Sequence, residues 1–145
     1  MITSQSRLNN LSQLQAGVSS PLVLAIDDQE DSLFLLSCVL ESFSCKFVGK
    51  ATAEAALEFV KLHQPSLILL DLLLPDMHGA ELVTLLRQQR NLSNVPIIAT
   101  TGLAIFGDRE QLLAAGFSDY LGKPYLLEDL EILVQRWGIP NWKAS

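Results

Sequence analysis

The sequence predicts an α/β fold, written (βα)5, with a parallel five-stranded sheet covered by helices on both faces. Five short apolar runs alternate with five amphipathic stretches between residues 21 and 138. Three of the runs are apolar without any polar alternation, the pattern of strands buried on both faces of a parallel sheet. Parallel neighbours need crossover connections, and right-handed crossovers place the intervening helices on both sides of the sheet.

The elements follow in order. Residues 1 to 20 are rich in Ser, Gln and Asn and close with Gly17, Ser19, Ser20 and Pro21, which predicts an N-terminal tail; Leu8, Leu11 and Leu14 share a helical spacing within it. The strands are LVLAI before Asp27, KFVGK after Cys45, LILL before Asp71, VPIIA before Thr100 and DYLG before Lys123. The helices span Ser32 to Ser42, Ala53 to His63, Gly79 to Arg90, Asp108 to Ala115 and Leu127 to Trp137. Thr52 is placed to cap the second helix, because its hydroxyl can accept from the free amides of the first turn. Gly116 and Gly138 stop the fourth and fifth helices. The domain therefore runs over residues 21–138, and residues 139–145 are read as a C-terminal tail.

Composition narrows the setting. At 145 residues and 49% hydrophobic, the chain is long enough for one compact core without disulfide or structural metal. Cys38 and Cys45 have neither CxxC spacing nor a second Cys or His pair for zinc, which fits free thiols in the reducing cytoplasm. Ten Lys plus Arg against sixteen Asp plus Glu leave a net charge of -6, which opposes binding to a phosphate backbone, so no nucleic-acid partner is expected. The N-terminal stretch has no secretory pattern and no apolar run has the length of a membrane span, so no membrane association is expected either.

Chemistry collects at the strand ends. Ligands of open α/β sheets bind beyond the carboxyl ends of the strands, and this sequence puts Asp27 and Asp28 after the first, Asp71 after the third, Thr100 and Thr101 after the fourth and Lys123 after the fifth. With the first and third strands as neighbours, three carboxylates converge, and their repulsion calls for a cation. Oxygen-only ligands suit Mg2+. The Thr101 hydroxyl and the Lys123 charge add a place for an anion with tetrahedral oxygens, such as phosphate. Taken alone, adjacent aspartates at a strand end also serve as helix caps, with Asp31 sharing that role; a cap does not ask for Thr and Lys at two other strand ends.

The segments LVLAIDDQED, LILLDLLLPDMHG, PIIATTG and DYLGKPY resemble the signature segments of the receiver domain of two-component response regulators, over about residues 21 to 138. The resemblance implies a flavodoxin-like three-layer sandwich with strand order 2-1-3-4-5. It implies Asp71 as phosphoryl acceptor, Asp28 and Asp71 as direct Mg2+ ligands, Asp27 as a ligand through water, and the backbone carbonyl of Leu73 as a further ligand. Lys123 would pair with Asp71 before transfer and with a phosphoryl oxygen after it, while Thr101 would hold another oxygen and Tyr120 would follow as the switch residue. Leu73 and Leu103 would flank the path of a hydrolytic water. A histidine kinase or histidine phosphotransfer protein would supply the phosphoryl group, and the domain would catalyse only its own phosphorylation and dephosphorylation. The signal would pass to a downstream protein by contact, with the face of fourth helix, fifth strand and fifth helix available for pairing of two copies. A cis Lys123-Pro124 peptide is expected. The chain ends soon after the fifth helix, so a stand-alone receiver without an output domain is expected.

Rival functions fit less well. A flavin module of this fold needs a Ser/Thr/Gly phosphate loop after the first strand, where Asp27, Asp28, Glu30 and Asp31 repel one. An Asp-nucleophile phosphohydrolase carries a second Asp two residues on, where this chain has Leu73. A receiver-like interaction module that works without phosphorylation would be marked by loss of an acidic, Thr or Lys site residue, and none is lost. His63 and His78 have neither metal spacing nor a nucleophile partner and receive no catalytic role; Trp137 reads as an anchor of the last helix.

Overall fold

The computed structural model describes residues 20–102 and 109–139. The elements are β1 (Leu22–Ile26), α1 (Glu30–Leu40), β2 (Lys46–Lys50), α2 (Ala53–Leu62), β3 (Leu67–Asp71), α3 (Gly79–Gln88), a 3-10 turn (Arg90–Leu92), β4 (Ile97–Thr101), α4 (Arg109–Ala115), β5 (Asp119–Gly122) and α5 (Leu127–Arg136). All five strands are parallel and lie in the order β2-β1-β3-β4-β5, the flavodoxin-like topology expected above. The tail leucines Leu8, Leu11 and Leu14, the flanking Leu103 and the start of the fourth helix at Asp108 lie outside the described residues.

The apolar runs without alternation are explained by what covers them. Successive strand residues point to opposite faces. Leu24 and Ile26 of β1 and Ile68 and Leu70 of β3 enter one core, closed by Ala53 and Val60 of α2, Leu82 and Leu86 of α3 and Leu112 of α4. Val23, Ala25, Leu67 and Leu69 enter the other, closed by Leu36 and Leu40 of α1 and Leu130 and Val134 of α5. Three layers result, and each inner strand needs hydrophobic residues on both sides.

Local chemistry sets the boundaries. Thr52 accepts from the Ala55 N–H and caps α2 as predicted. Gly116 (φ 118) and Gly138 (φ 101) end α4 and α5 in the left-handed region, where glycine has no Cβ penalty. The predicted α1 started two residues late, since Glu30 and Asp31 already form an acidic first turn that suits the helix dipole. The predicted third helix ran too far: the chain turns extended at Gln89 so that Leu92 can be buried by a 3-10 turn. Strand β4 begins after Pro96, which has no N–H for the ladder, although its carbonyl accepts from Ile68. Ile139, assigned from sequence to the C-terminal tail, is buried in the α1–α5 core, with its N–H donated to the Val134 carbonyl.

One side chain ties the α3 side of the sheet together. The Arg87 guanidinium donates to the carbonyls of Leu92, Val95 and Gly116 and to Ser118 Oγ, linking α3, the 3-10 turn, the approach to β4 and the end of α4. Arg87→Ala leaves those acceptors without a charged donor, and a loss of roughly 2–4 kcal/mol is expected in urea unfolding. Arg87→Lys should recover only part of it, because an ammonium cannot reproduce the planar fork.

Candidate functional site

Strand register builds the site. Ile26 of β1 lies opposite Leu70 of β3, so the next residues, Asp27 and Asp71, emerge side by side from neighbouring parallel strands. Both belong to the parity that faces α1 and α5. Asp27 and Asp71 are buried, whereas Asp28 is exposed. One carboxylate oxygen from each of the three lies within 4.8 Å of the others. At that separation and an effective dielectric of about 20, Asp27 and Asp71 repel by roughly 3–4 kcal/mol.

The two buried carboxylates are held in the same way. Asp27 Oδ1 accepts from the Gln29 N–H at 2.9 Å, and Asp71 Oδ1 accepts from the Leu73 N–H at 3.1 Å, two Asx-type turns. Their Oδ2 atoms share Lys123, whose Nζ lies 2.7 Å from Asp27 and 3.3 Å from Asp71. The expected Lys123–Asp71 pairing is present, but the shorter contact is to Asp27. Lys123 reaches the site because its N–H donates to the Thr101 carbonyl as β5 ends, and the Lys123-Pro124 peptide is cis as expected. Burial raises the Asp71 pKa, with Asp27 adding to the effect, against the opposing Leu73 N–H and Lys123 ammonium. Burial works against the Lys123 ammonium, yet Asp27 and Asp71 outweigh it and hold its pKa above the ordinary value.

The remaining predicted residues fall around this cluster. Thr101 ends β4, buried, in register with Gly122. Leu73 is half exposed beside Asp71, and Gly79 closes its loop: the Gly79 N–H donates to the Leu72 carbonyl, and a Cβ on Gly79 would lie 2.7 Å from the Leu72 Cα. Tyr120 is partly buried against the α3–α4 side, with its hydroxyl 3.3 Å from where a Gly122 Cβ would stand. The aspartates do not cap α1 by side chain; Gln29 is its N-cap. His78 does cap α3, accepting from the Ala80 N–H through Nδ1, and His63 stacks on Phe59. Trp137 is partly buried against the α1–α5 core.

Two carboxylates escaped the sequence reading. Asp76, in the loop after β3, accepts from the Ala53 and Glu54 N–H groups and ties that loop to the start of α2; those two hydrogen bonds hold its carboxyl below the usual range. The signal was Thr52 followed by Ala55, a cap without the Glu or Gln that completes a capping box. Asp119 opens β5 nearly buried, with Trp137 Nε1 at 3.1 Å and Arg109 and Arg136 each at 3.5 Å, so it joins α4, β5 and the end of α5. Its sequence context, a polar residue at a strand start, gave no signal of that role.

The sequence model of the family described as response regulator receiver domain matches residues 23–135. This chain belongs to the response regulator receiver family. Among curated relatives, the receiver is 36% identical over 115 residues to the signal transduction histidine-protein kinase BarA of Escherichia coli and 32% over 121 residues to the sensor protein GacS of Pseudomonas syringae pv. syringae. These matches cover 79% and 81% of this chain but only 12% and 13% of those kinases. The polar-differentiation response regulator DivK of Brucella ovis is 30% identical over 102 residues, covering 70% of this chain and 83% of DivK. Among solved structures, the chemotaxis response regulator CheY4 of Vibrio cholerae superposes with a TM-score of 0.76 at 26% identity, over 82% of this chain and 99% of that one. The receiver domain of the sensor histidine kinase PA1611 from Pseudomonas aeruginosa, which holds a magnesium ion in its active-site cleft, gives 0.74 at 32% identity, over 82% and 98%.

The pKa pattern has a stability consequence. A raised carboxyl pKa means that the folded state holds the proton more tightly than the unfolded state, so stability falls as pH rises from the unfolded value through the folded one. The cost of the ionised Asp71 is therefore fully present at neutral pH. In EDTA at about pH 7, Asp71→Asn should raise the urea midpoint, and the gain should shrink toward about pH 4 as wild-type Asp71 takes up its proton.

Proposed function

We propose that this receiver accepts a phosphoryl group on Asp71 in a Mg2+-dependent reaction and signals through protein contact. One observation carries the proposal: a buried carboxylate, two further acidic groups within ligand distance and a shared ammonium occupy the carboxyl edge of a receiver sheet. The donor set fits the ion, since it is made only of hard oxygens. Asp28 and Asp71 would bind it directly, Asp27 through water, and the Leu73 carbonyl would complete the protein's share. When bound, the ion neutralises charge on the attacking and transferred oxygens.

Asp71 does the covalent work. One of its oxygens attacks the phosphorus of a phosphorylated imidazole on a histidine kinase or histidine phosphotransfer protein. The O–P bond forms as the P–N bond breaks, and the imidazole nitrogen keeps the electron pair and takes a proton from solvent. Lys123 then exchanges carboxylate oxygen for phosphoryl oxygen, and the Thr101 hydroxyl holds a second one. Drawing Thr101 inward frees space beside β5 for Tyr120, which carries the change to the α4–β5–α5 face, where a downstream protein or a second copy would meet it. Attack of water on the same phosphorus breaks the Asp71 O–P bond, returns the carboxylate and releases inorganic phosphate, so the domain catalyses only its own phosphorylation and dephosphorylation. The free thiols of Cys38 and Cys45 suit a cytoplasmic setting. Among the described residues no helix is long and apolar enough to cross a membrane.

Acetyl phosphate with Mg2+ should add one phosphoryl group, read by intact mass, and both EDTA and Asp71→Asn should abolish it. An adduct that survives in Asp71→Asn would place the acceptor elsewhere. A second expectation follows from the short Lys123–Asp27 contact: the cation must compete with Lys123 for the carboxylates. Lys123→Ala should therefore bind Mg2+ several-fold more tightly by titration calorimetry, while losing the amide shifts near Tyr120 that accompany phosphorylation in the wild type.

A further inference from the structure

At the opposite end of the sheet a second feature stands apart from this chemistry. An open groove of about 1110 Å³ runs across the amino-terminal starts of β1 and β2, the turn after α2 and the 3-10 turn. We propose that this groove binds an acidic peptide segment of a partner protein, with carboxylates flanking an aromatic residue.

Charge is the first argument. The chain carries sixteen acidic residues against ten basic ones. Even so, no Asp or Glu is among the described residues that line the groove, while Lys46 and Arg90 are, both exposed. Neither has a carboxylate within ion-pair distance among the described residues. A groove of this sign in an otherwise acidic molecule favours carboxylates over other side chains and steers their approach.

Aromatic rings accompany the cations in the same groove. Phe47 and Phe59 line the groove, and the His63 ring stacks on Phe59 with centroids 4.3 Å apart and planes 11° from parallel. Lys50 Nζ lies 5.4 Å over the Phe59 ring, which it helps to hold in place. An aromatic side chain of the peptide packs against these rings, and flanking carboxylates reach Lys46 and Arg90.

Other occupants are disfavoured on the same grounds. Nucleic acid would meet two cations on a molecule of net charge -6. Residues 1–19 of this chain contain Arg7 and no acidic residue, so they do not complement the groove, although Ser20 lines it. The groove lies at the strand starts and the aspartates at the strand ends, so a partner can be held while Asp71 is free to react. This inference is independent of the phosphoacceptor proposal.

The test is a titration of the full-length, 15N-labelled chain, without phosphodonor, with the peptide Ac-Glu-Asp-Phe-Glu-Asp-NH2 at low salt. Saturable amide shifts are expected at residues 46–48, 63–66 and 90–95, weakening as salt is added. The double variant Lys46→Glu with Arg90→Glu changes two exposed side chains, and its fold is checked by circular dichroism. It should bind the peptide roughly tenfold more weakly and prefer the lysine counterpart Ac-Lys-Lys-Phe-Lys-Lys-NH2. The proposal is overturned by shifts that do not saturate, that map elsewhere, or that are equal for the two peptides on the wild type. Binding of oligodeoxythymidylate at the same amides would assign the groove to nucleic acid instead. Shifts there on simple dilution would assign it to a second copy, and nuclear Overhauser contacts from residues 1–19 to the Phe47 or Phe59 ring would assign it to the chain's own N-terminus.

Discussion

Two buried carboxylates, Asp27 and Asp71, are forced side by side by the register of β1 on β3, and a single ammonium, Lys123, lies against both. Parallel strands place equivalent residues a strand spacing apart and on the same face, so the two side chains leave the sheet beside each other. The repulsion is balanced by three donors: one peptide N–H two residues downstream of each aspartate, and the lysine from the far side of β4. The loops at this edge are shaped by that balance, because Gln29 and Leu73 must present their N–H groups and Lys123 must be directed inward.

The rest of the fold supplies rigidity where the balance needs it. The β3–α3 loop that carries Leu73 is tied down twice, by the close approach of Gly79 to Leu72 and by Asp76 on the first amides of α2. These contacts bind the end of β3 to helices on one side of the sheet. On the other side of β4, Asp119 binds α4, β5 and α5 through Arg109, Arg136 and Trp137. The acidic cluster thus sits between a fixed loop and a face joined by exposed arginines, where β5 is tied to both helices.

The two ends of the sheet differ in charge as well as in chemistry. The carboxyl edge gathers Asp27, Asp28 and Asp71, whereas the groove across the amino-terminal edge has Lys46 and Arg90 and no acidic lining among the described residues. In a parallel sheet these ends are separated by the full length of the strands, so each keeps its own electrostatic character despite the net charge of the chain.

Much of this was legible in the sequence by itself. Unalternating apolar runs such as LILL required a sheet covered on both faces, Thr52 and the glycines Gly116 and Gly138 marked helix ends, and acidic, Thr and Lys residues at separate strand ends marked the reactive edge, because these are local properties of residue type and spacing. Tertiary structure alone decided that Asp27 and Asp71 touch the same ammonium, with Asp27 the nearer. It also decided that Asp76 caps a helix 22 and 23 residues away, that Arg87 reaches carbonyls up to 29 residues away, and that Asp119 meets Trp137. Contacts of that range leave no periodic trace along the chain: each depends on where two distant segments are placed, and that placement is set by the burial of both faces of the sheet at once.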